Sequence, residues 1–206
     1  MSDLLISFVV PAYNEEALIA SCLAAIQAEI ARTGCRSEII VVNNNSTDGT
    51  RRIASSIPGV VIVDEPQRGL VQARRAGYRT ANGQLIANID ADTILPEGWL
   101  RTALQEFSRS PDLVALSGPC IYYDLSRSAQ FIAAVFYRIA FASYLLVRFV
   151  LGAGSMIQGG NFIVSKSALE TAGGFNPDFC FYGEDTDLAL RLSKVGPRGR
   201  RFRPRQ

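Results

Sequence analysis

Short apolar runs alternate with amphipathic stretches along the first half of the chain. Leu4-Leu5-Ile6-Ser7-Phe8-Val9-Val10 opens as a buried strand, which Pro11 is expected to end because proline cannot donate to a ladder. Asn14-Glu15-Glu16 then predicts a helix start, with Leu18, Ile19, Cys22, Leu23 and Ile26 at helical spacing and Gly34 as the stop. Glu38-Ile39-Ile40-Val41-Val42 reads as a second strand. It runs into Asn43-Asn44-Asn45-Ser46-Thr47-Asp48-Gly49-Thr50, residues of loops and helix caps. Val60 to Val63 is a third strand, Arg68 to Ala81 a helix with Leu70, Ala73 and Tyr78 facing inward, and Gln84 to Ile89 a fourth strand. A helix marked by Leu100, Leu104 and Phe107 and a strand over Leu113 to Leu116 follow. This alternation predicts an α/β fold, a mostly parallel sheet flanked by helices on both faces with right-handed crossovers.

The fourth strand runs into two acids, Asp90 and Asp92, separated by Ala91. On a strand, residues i and i+2 project to one side, so the two carboxylates are expected to converge. Such a pair at a strand's C-terminal end suits a hard divalent cation that also binds substrate phosphates, although it can equally start a turn or cap a helix. Further on, Gly183-Glu184-Asp185-Thr186-Asp187 opens a helix through Leu188, Leu190, Arg191 and Leu192, where acids in the first turn also suit the helix dipole.

Composition narrows the chemistry. The 206 residues contain no histidine, which excludes Ser-His and Cys-His nucleophilic sites and the common zinc sites. Acid–base work falls to carboxylates, Lys, Tyr or Cys. Four scattered cysteines (Cys22, Cys35, Cys120, Cys180) read as reduced thiols, and a net charge of +2 gives no global pull toward nucleic acid. The N-terminus enters a strand with no targeting pattern, so a cytoplasmic protein is expected.

Taken in order, Val10-Pro11-Ala12-Tyr13-Asn14-Glu15-Glu16, Asn43 to Thr50, Gly69-Leu70-Val71-Gln72-Ala73-Arg74, Asp90-Ala91-Asp92, Gly159-Gly160-Asn161-Phe162 and Gly183-Glu184-Asp185 resemble the family-2 glycosyltransferases of GT-A fold over about residues 5 to 195. The resemblance implies inverting transfer of one sugar from a nucleotide-diphospho-sugar donor, with Mg²⁺ or Mn²⁺ as cofactor. It places Pro11, Ala12, Tyr13 and Glu15 around base and ribose, and Val42 and Asn44 beside the base. Arg74, with Arg75 as rival, would face the diphosphate. Asp90 would contact the ribose or the metal, Ala91 would belong to the nucleotide-sugar site, and Asp92 with Asp90 would hold the metal. Asp185 would be the general base with Asp187 as runner-up, and Gly160, Asn161 and Glu184 would meet the acceptor. The common pattern has aspartates where this chain has Asn43 and Asn44, which leaves the base unidentified. A nucleotidyltransferase would instead carry a glycine-rich basic loop after the first strand.

Residues 128–151 form a long apolar helix, interrupted by Arg138 and closed by Arg148, too broken to span a bilayer. It is expected to lie in the membrane surface at the inner face of the cell membrane, with a helix packed on protein as the alternative. The acceptor would then be a glycan or a lipid-linked molecule. The expected organisation is 1–125 for the nucleotide-sugar-binding half, 126–152 for this helix, 153–196 for the acceptor half and 197–206 for a basic tail. That tail, with Arg198, Arg200, Arg201, Arg203 and Arg205, is not expected to supply a buried strand. An inactive or truncated glycosyltransferase-like binding or scaffold protein is the competing expectation.

Overall fold

A computed structural model describes residues 4–118, 126–150, 157–179, 183–195 and 203–204, with 144–150 and 203–204 described by backbone alone. Strands β1 (Leu5–Ala12), β2 (Arg36–Asn43), β3 (Val60–Asp64) and β4 (Leu85–Ile89) run parallel, joined by helices α1 (Ile19–Thr33), α2 (Thr50–Ser55) and α3 (Leu70–Thr80). Beyond them lie α4 (Trp99–Arg109), β5 (Ala115–Ser117), α5 (Arg127–Val150), β6 (Asn161–Ser165), α6 (Lys166–Thr171), α7 (Glu184–Leu192) and β7 (Arg203–Pro204). The sheet order is β3-β2-β1-β4-β6-β5-β7, and β6 runs antiparallel to both β4 and β5. The expected mostly parallel sheet is therefore present, with a reversal at β6.

Alternation along each strand feeds two cores. Ile6, Phe8 and Val10 of β1 meet Ile19, Cys22, Leu23 and Ile26 of α1 and Leu100 of α4 on one face. Val9, Ile40, Val42 and Ile86 meet Val71 and Ala73 of α3 and Leu188 and Leu192 of α7 on the other. Helices thus cover both faces, as the pattern predicts. Leu70, expected inward, is exposed. Ala73 is buried as expected and Tyr78 packs against the same core, while Val71, Arg74 and Gly77 complete the buried face of α3; a Cβ at Gly77 would overlap Val9, so only glycine lets the helix sit this close to the sheet.

Two local expectations are corrected. Pro11 lies inside β1, because the ladder to β4 ends at Val9 opposite Asn88 and no partner waits for its missing N–H. The first helix begins at Ile19 rather than near Asn14, and Asn14 is left-handed with φ 57°. The amides of Asn14, Glu15 and Glu16 are instead committed to Ser46 Oγ (3.1 Å), Thr50 Oγ1 (2.7 Å) and Asp48 Oδ2 (3.1 Å) of the next loop. At the sheet edge the backbone of Arg203–Pro204 pairs with β5 over two residues, a position where proline is tolerated. The rest of the basic tail, Cys120 and Cys180 lie outside the described residues.

The opposite end of the sheet is closed by polar staples. Glu38 on β2 accepts bonds from Ser7 Oγ (2.5 Å), Asn82 N (2.6 Å) and Asn82 Nδ2 (3.1 Å). Burial pushes the Glu38 carboxyl upward, but these bonds outweigh it and hold the group below its ordinary value of 4.5. A depressed folded pKa contributes stability that is present above the unfolded pKa and lost as pH falls through the folded one. Urea unfolding at pH 7 should show Glu38→Gln less stable than wild type, with the gap closing as pH falls below about 4.5. Parallel pH profiles for the two proteins would contradict this.

Candidate active site

The functional candidates gather where β1, β2, β3 and β4 end, which is where open parallel sheets receive ligands. Two loops form one wall. Beyond the three amides already described, Glu16 Oε2 accepts from Gly49 N (2.7 Å) and Asn14 Oδ1 from Thr47 N (2.8 Å). The β1–α1 and β2–α2 loops are thereby latched together through carboxylates and cap residues. Tyr13 stands exposed on this wall, and the guanidinium of Arg68 lies 4.6 Å from its ring centroid. Pro11, Ala12 and Val42 are buried, so any ligand contact of theirs runs through main chain or past neighbours.

Acids form the floor. β4 ends at Ile89, and Asp90 O accepts from Thr93 N at 2.9 Å to close a turn, so Asp90 and Asp92 share a turn rather than one strand face. Ala91 is buried between them while Asp92 is exposed. The pair still interacts. Burial raises the Asp90 carboxyl, Arg74 lowers it and Asp92 raises it again, with a net upward shift. Glu15 is likewise raised, first by burial and then by Asp92, Asp48 and Asp90, which places it in the same negative field. Cys22 donates to Asp90 O (3.5 Å), and burial plus these acids push its thiol to about 12, so it is not available as a base at neutral pH.

Behind the floor lies Arg74, 1% exposed. It donates to Glu184 Oε1 (3.0 Å), Asp90 Oδ1 (3.3 Å) and Gly159 O (2.7 Å), and its guanidinium lies 5.7 Å from the Phe162 ring centroid. The neighbouring Arg75 is only partly buried. Arg74 thus joins α3, the turn after β4, the segment before β6 and the first turn of α7. Gly160 is required here, because a Cβ at that position would collide with the Asp90 carboxylate. A Cβ at Gly159 would lie 3.5 Å from Asp185 Oδ2, which sets Asp185 at the rim of the same cluster.

The three acids of α7 have different surroundings. Glu184 is bound to Arg74, and Asp187 is paired with Arg191 (2.8 Å to Nε), which also donates to Ala172 O and Gly174 O. Asp185 accepts only short-range bonds from Thr186, N at 2.7 Å and Oγ1 at 3.4 Å, among those described. Asn161 is buried, with its Oδ1 accepting from Trp99 Nε1 (2.8 Å) and its Nδ2 turned to Gly118 O (3.5 Å). Sequence reasoning missed Thr50, Asp48 and Arg68 as parts of the site. The cap-rich run Asn43 to Thr50 was the signal for the first two, and nothing in the sequence singled out Arg68.

A family model described as glycosyl transferase family 2 matches residues 7–173. A model described as the N-terminal domain of galactosyltransferase matches residues 151–206. Glycosyltransferase AglE of Haloferax volcanii is 24% identical over 197 residues, covering 93% of this chain and 62% of AglE. The structure is similar to that of mannosyltransferase PcManGT from Pyrobaculum calidifontis, solved with GDP-Man and Mn²⁺, with a TM-score of 0.68, 27% identity and coverage of 94% of this chain and 53% of the other. Glucosyl-3-phosphoglycerate synthase from Mycobacterium tuberculosis, solved with Mn²⁺ and UDP-glucose, shares the fold at a TM-score of 0.59 and 21% identity, over 82% of this chain and 58% of that one. The chain spans less than two thirds of the length of each of these relatives. With a matching family model over most of its length and the corresponding sheet and helices in place, the protein has the GT-A fold and belongs to glycosyl transferase family 2.

Proposed function

We propose that this chain carries an inverting glycosyltransferase site that moves one sugar from a nucleotide-diphosphate donor to an acceptor hydroxyl or lipid phosphate. The observation that carries the reading is the separation of acids at the sheet's C-terminal edge. Asp90, Asp92 and Glu15 share one negative field, while Asp185 stands across Gly159 with both neighbouring acids already paired. Base and ribose would meet Tyr13 and the main chain of Pro11 and Ala12, near Glu15.

Mg²⁺ or Mn²⁺ suits the hard oxygen donors of Asp92 and Asp90, and two of the similar structures were solved with Mn²⁺. Among the described residues no three His, Cys, Asp or Glu side chains form a cation site by themselves. A cation held by Asp92 and Asp90 would take its remaining ligands from water and the diphosphate. When bound, it would neutralise charge on the departing diphosphate oxygens.

The chain's own residues supply the rest. For a hydroxyl acceptor, Asp185 takes the proton while the acceptor oxygen bonds to the anomeric carbon from the face opposite the diphosphate. The carbon–oxygen bond to the β-phosphate breaks, its electron pair leaves with the nucleotide diphosphate, and the anomeric centre inverts. Glu184, anchored by Arg74, positions the first turn of α7, with Gly160 and Asn161 lining the acceptor side. Asp185→Asn should lower kcat by roughly 10²–10⁴-fold while nucleotide affinity stays near wild type. Full turnover in this variant would exclude Asp185 as the base, and equal inactivity of wild type would favour a binding or scaffold role.

The exposed face of α5 supports membrane contact. Phe131 (71% exposed), Ile132, Val135, Phe136 and Ile139 form one stripe with i, i+4 and i+8 spacing, and Arg127 and Arg138 are the charges of its described side chains. No helix among the described residues is long and apolar enough to cross a membrane. An arginine-bearing helix with an exposed apolar stripe suits the surface of an anionic bilayer at the cytoplasmic face, where a lipid-linked acceptor would be reached. Wild type should co-sediment with vesicles containing phosphatidylglycerol, and Phe131→Glu/Phe136→Glu should lose at least tenfold in partitioning. Unchanged partitioning of the double variant would exclude this face.

A further inference from the structure

Asn44 occupies a position where the family pattern has an aspartate, and its surroundings explain the difference. The side chain is buried, and its partners all belong to the loop between β3 and α3. Nδ2 donates to Glu65 O (3.2 Å) and Gln67 O (2.6 Å), and Oδ1 accepts from Gly69 N (2.7 Å). The orientation of the amide is determined by these partners, since the reverse would set its oxygen against two carbonyls. An aspartate here would lose both donors and direct a carboxylate at two carbonyl oxygens in a site 5% exposed. The same logic holds one residue earlier. Asn43 Nδ2 donates to Asp64 Oδ1 at 2.8 Å, where a second carboxylate would meet like charge.

The stapled loop has two functional ends. Gly69, at φ 137°, precedes the first turn of α3, the helix that carries Arg74. Arg68, the residue before it, stacks on Tyr13 of the β1–α1 loop. The backbone adds to the link, with Glu65 N donating to Asn43 O (3.0 Å) and Asn44 N donating to Ala12 O (2.9 Å). A single amide therefore connects the ends of β1 and β2 to the loop that sets Arg68.

We infer that Asn44 is a positioning residue, whose carboxamide staples the loop from Glu65 to Gly69 so that Arg68 stacks on Tyr13. The donor base is accordingly held by this aromatic–guanidinium wall and by loop main chain, and not selected by the Asn44 side chain. A π-face and a planar cation accept any base, whereas a carboxylate selects for a ring N–H. The inference rests on the nucleotide-donor reading for its consequence, while the staple itself is testable without any ligand.

Hydrogen–deuterium exchange of ligand-free protein, with circular dichroism to establish folding, reads the staple directly. Asn44→Asp should raise exchange of the amides of Glu65, Gln67, Arg68 and Gly69 about tenfold or more, with β1 and β2 unchanged. Unchanged exchange there would overturn the staple. Calorimetry with UDP, GDP, dTDP and ADP reads the consequence. In both Asn44→Asp and Arg68→Ala, every nucleotide that wild type binds should weaken by a common factor of about ten, leaving their order intact. A changed ratio between nucleotides in Asn44→Asp, such as a selective gain for UDP, would make Asn44 a base reader and overturn the inference. If wild type binds no nucleotide, the donor reading fails and the base-selection half falls with it, while the exchange result still decides the staple.

Discussion

A guanidinium removed from water has to be surrounded by acceptors, and in this fold that requirement falls on Arg74. Its partners come from Asp90, Glu184 and the carbonyl of Gly159, which lie far apart in sequence. Desolvating the cation costs several kcal/mol, so the three segments are held against it or the charge is left uncompensated. The turn after β4, the glycine pair before β6 and the first turn of α7 thereby become one unit. Gly160 completes it by leaving room for the Asp90 carboxylate.

That unit gives the acids different surroundings. Asp90 and Glu184 are partly neutralised by Arg74, and Asp187 by Arg191, which leaves Asp92 and Asp185 as the less committed carboxylates of the two clusters. One borders the raised acids Glu15 and Asp90, a field that attracts a cation. The other stands in the first turn of α7, beside Gly159. The latched loops on the far side build the wall around Tyr13 with the same economy, using Thr50 Oγ1, Asp48 and Glu16 to satisfy main-chain amides.

Much of the framework was legible in the sequence because strands and helices announce themselves locally. The runs ending at Val10, Val42, Val63 and Ile89 all became parallel strands, and the helical spacing from Ile19 to Ile26 and over Leu188 and Leu192 marked inward faces. The reversal at β6 was not legible, since strand direction is decided by the path of the connection that contains α5. Asn14 to Glu16 looked like a helix start because acids and Asn favour that position, but their amides bond to a loop more than thirty residues away. The Asp90 and Asp92 pair was visible as a motif, yet its geometry came from a turn. Arg74 was visible as a cation, but its burial depends on acids 16 and 110 residues distant, which no local pattern shows. Asn44 stood out only as a departure from the family pattern, and its meaning lay in three partners in the next loop.

Calorimetric titration of UDP, GDP and dTDP, with and without Mn²⁺, into wild type and Asp92→Ala tests the account most directly. Binding of at least one nucleotide that requires Mn²⁺ and is lost in Asp92→Ala is the predicted result. Binding that is indifferent to Mn²⁺ and unchanged in the variant, or no binding to folded wild type, would contradict a metal-assisted donor site at the end of β4.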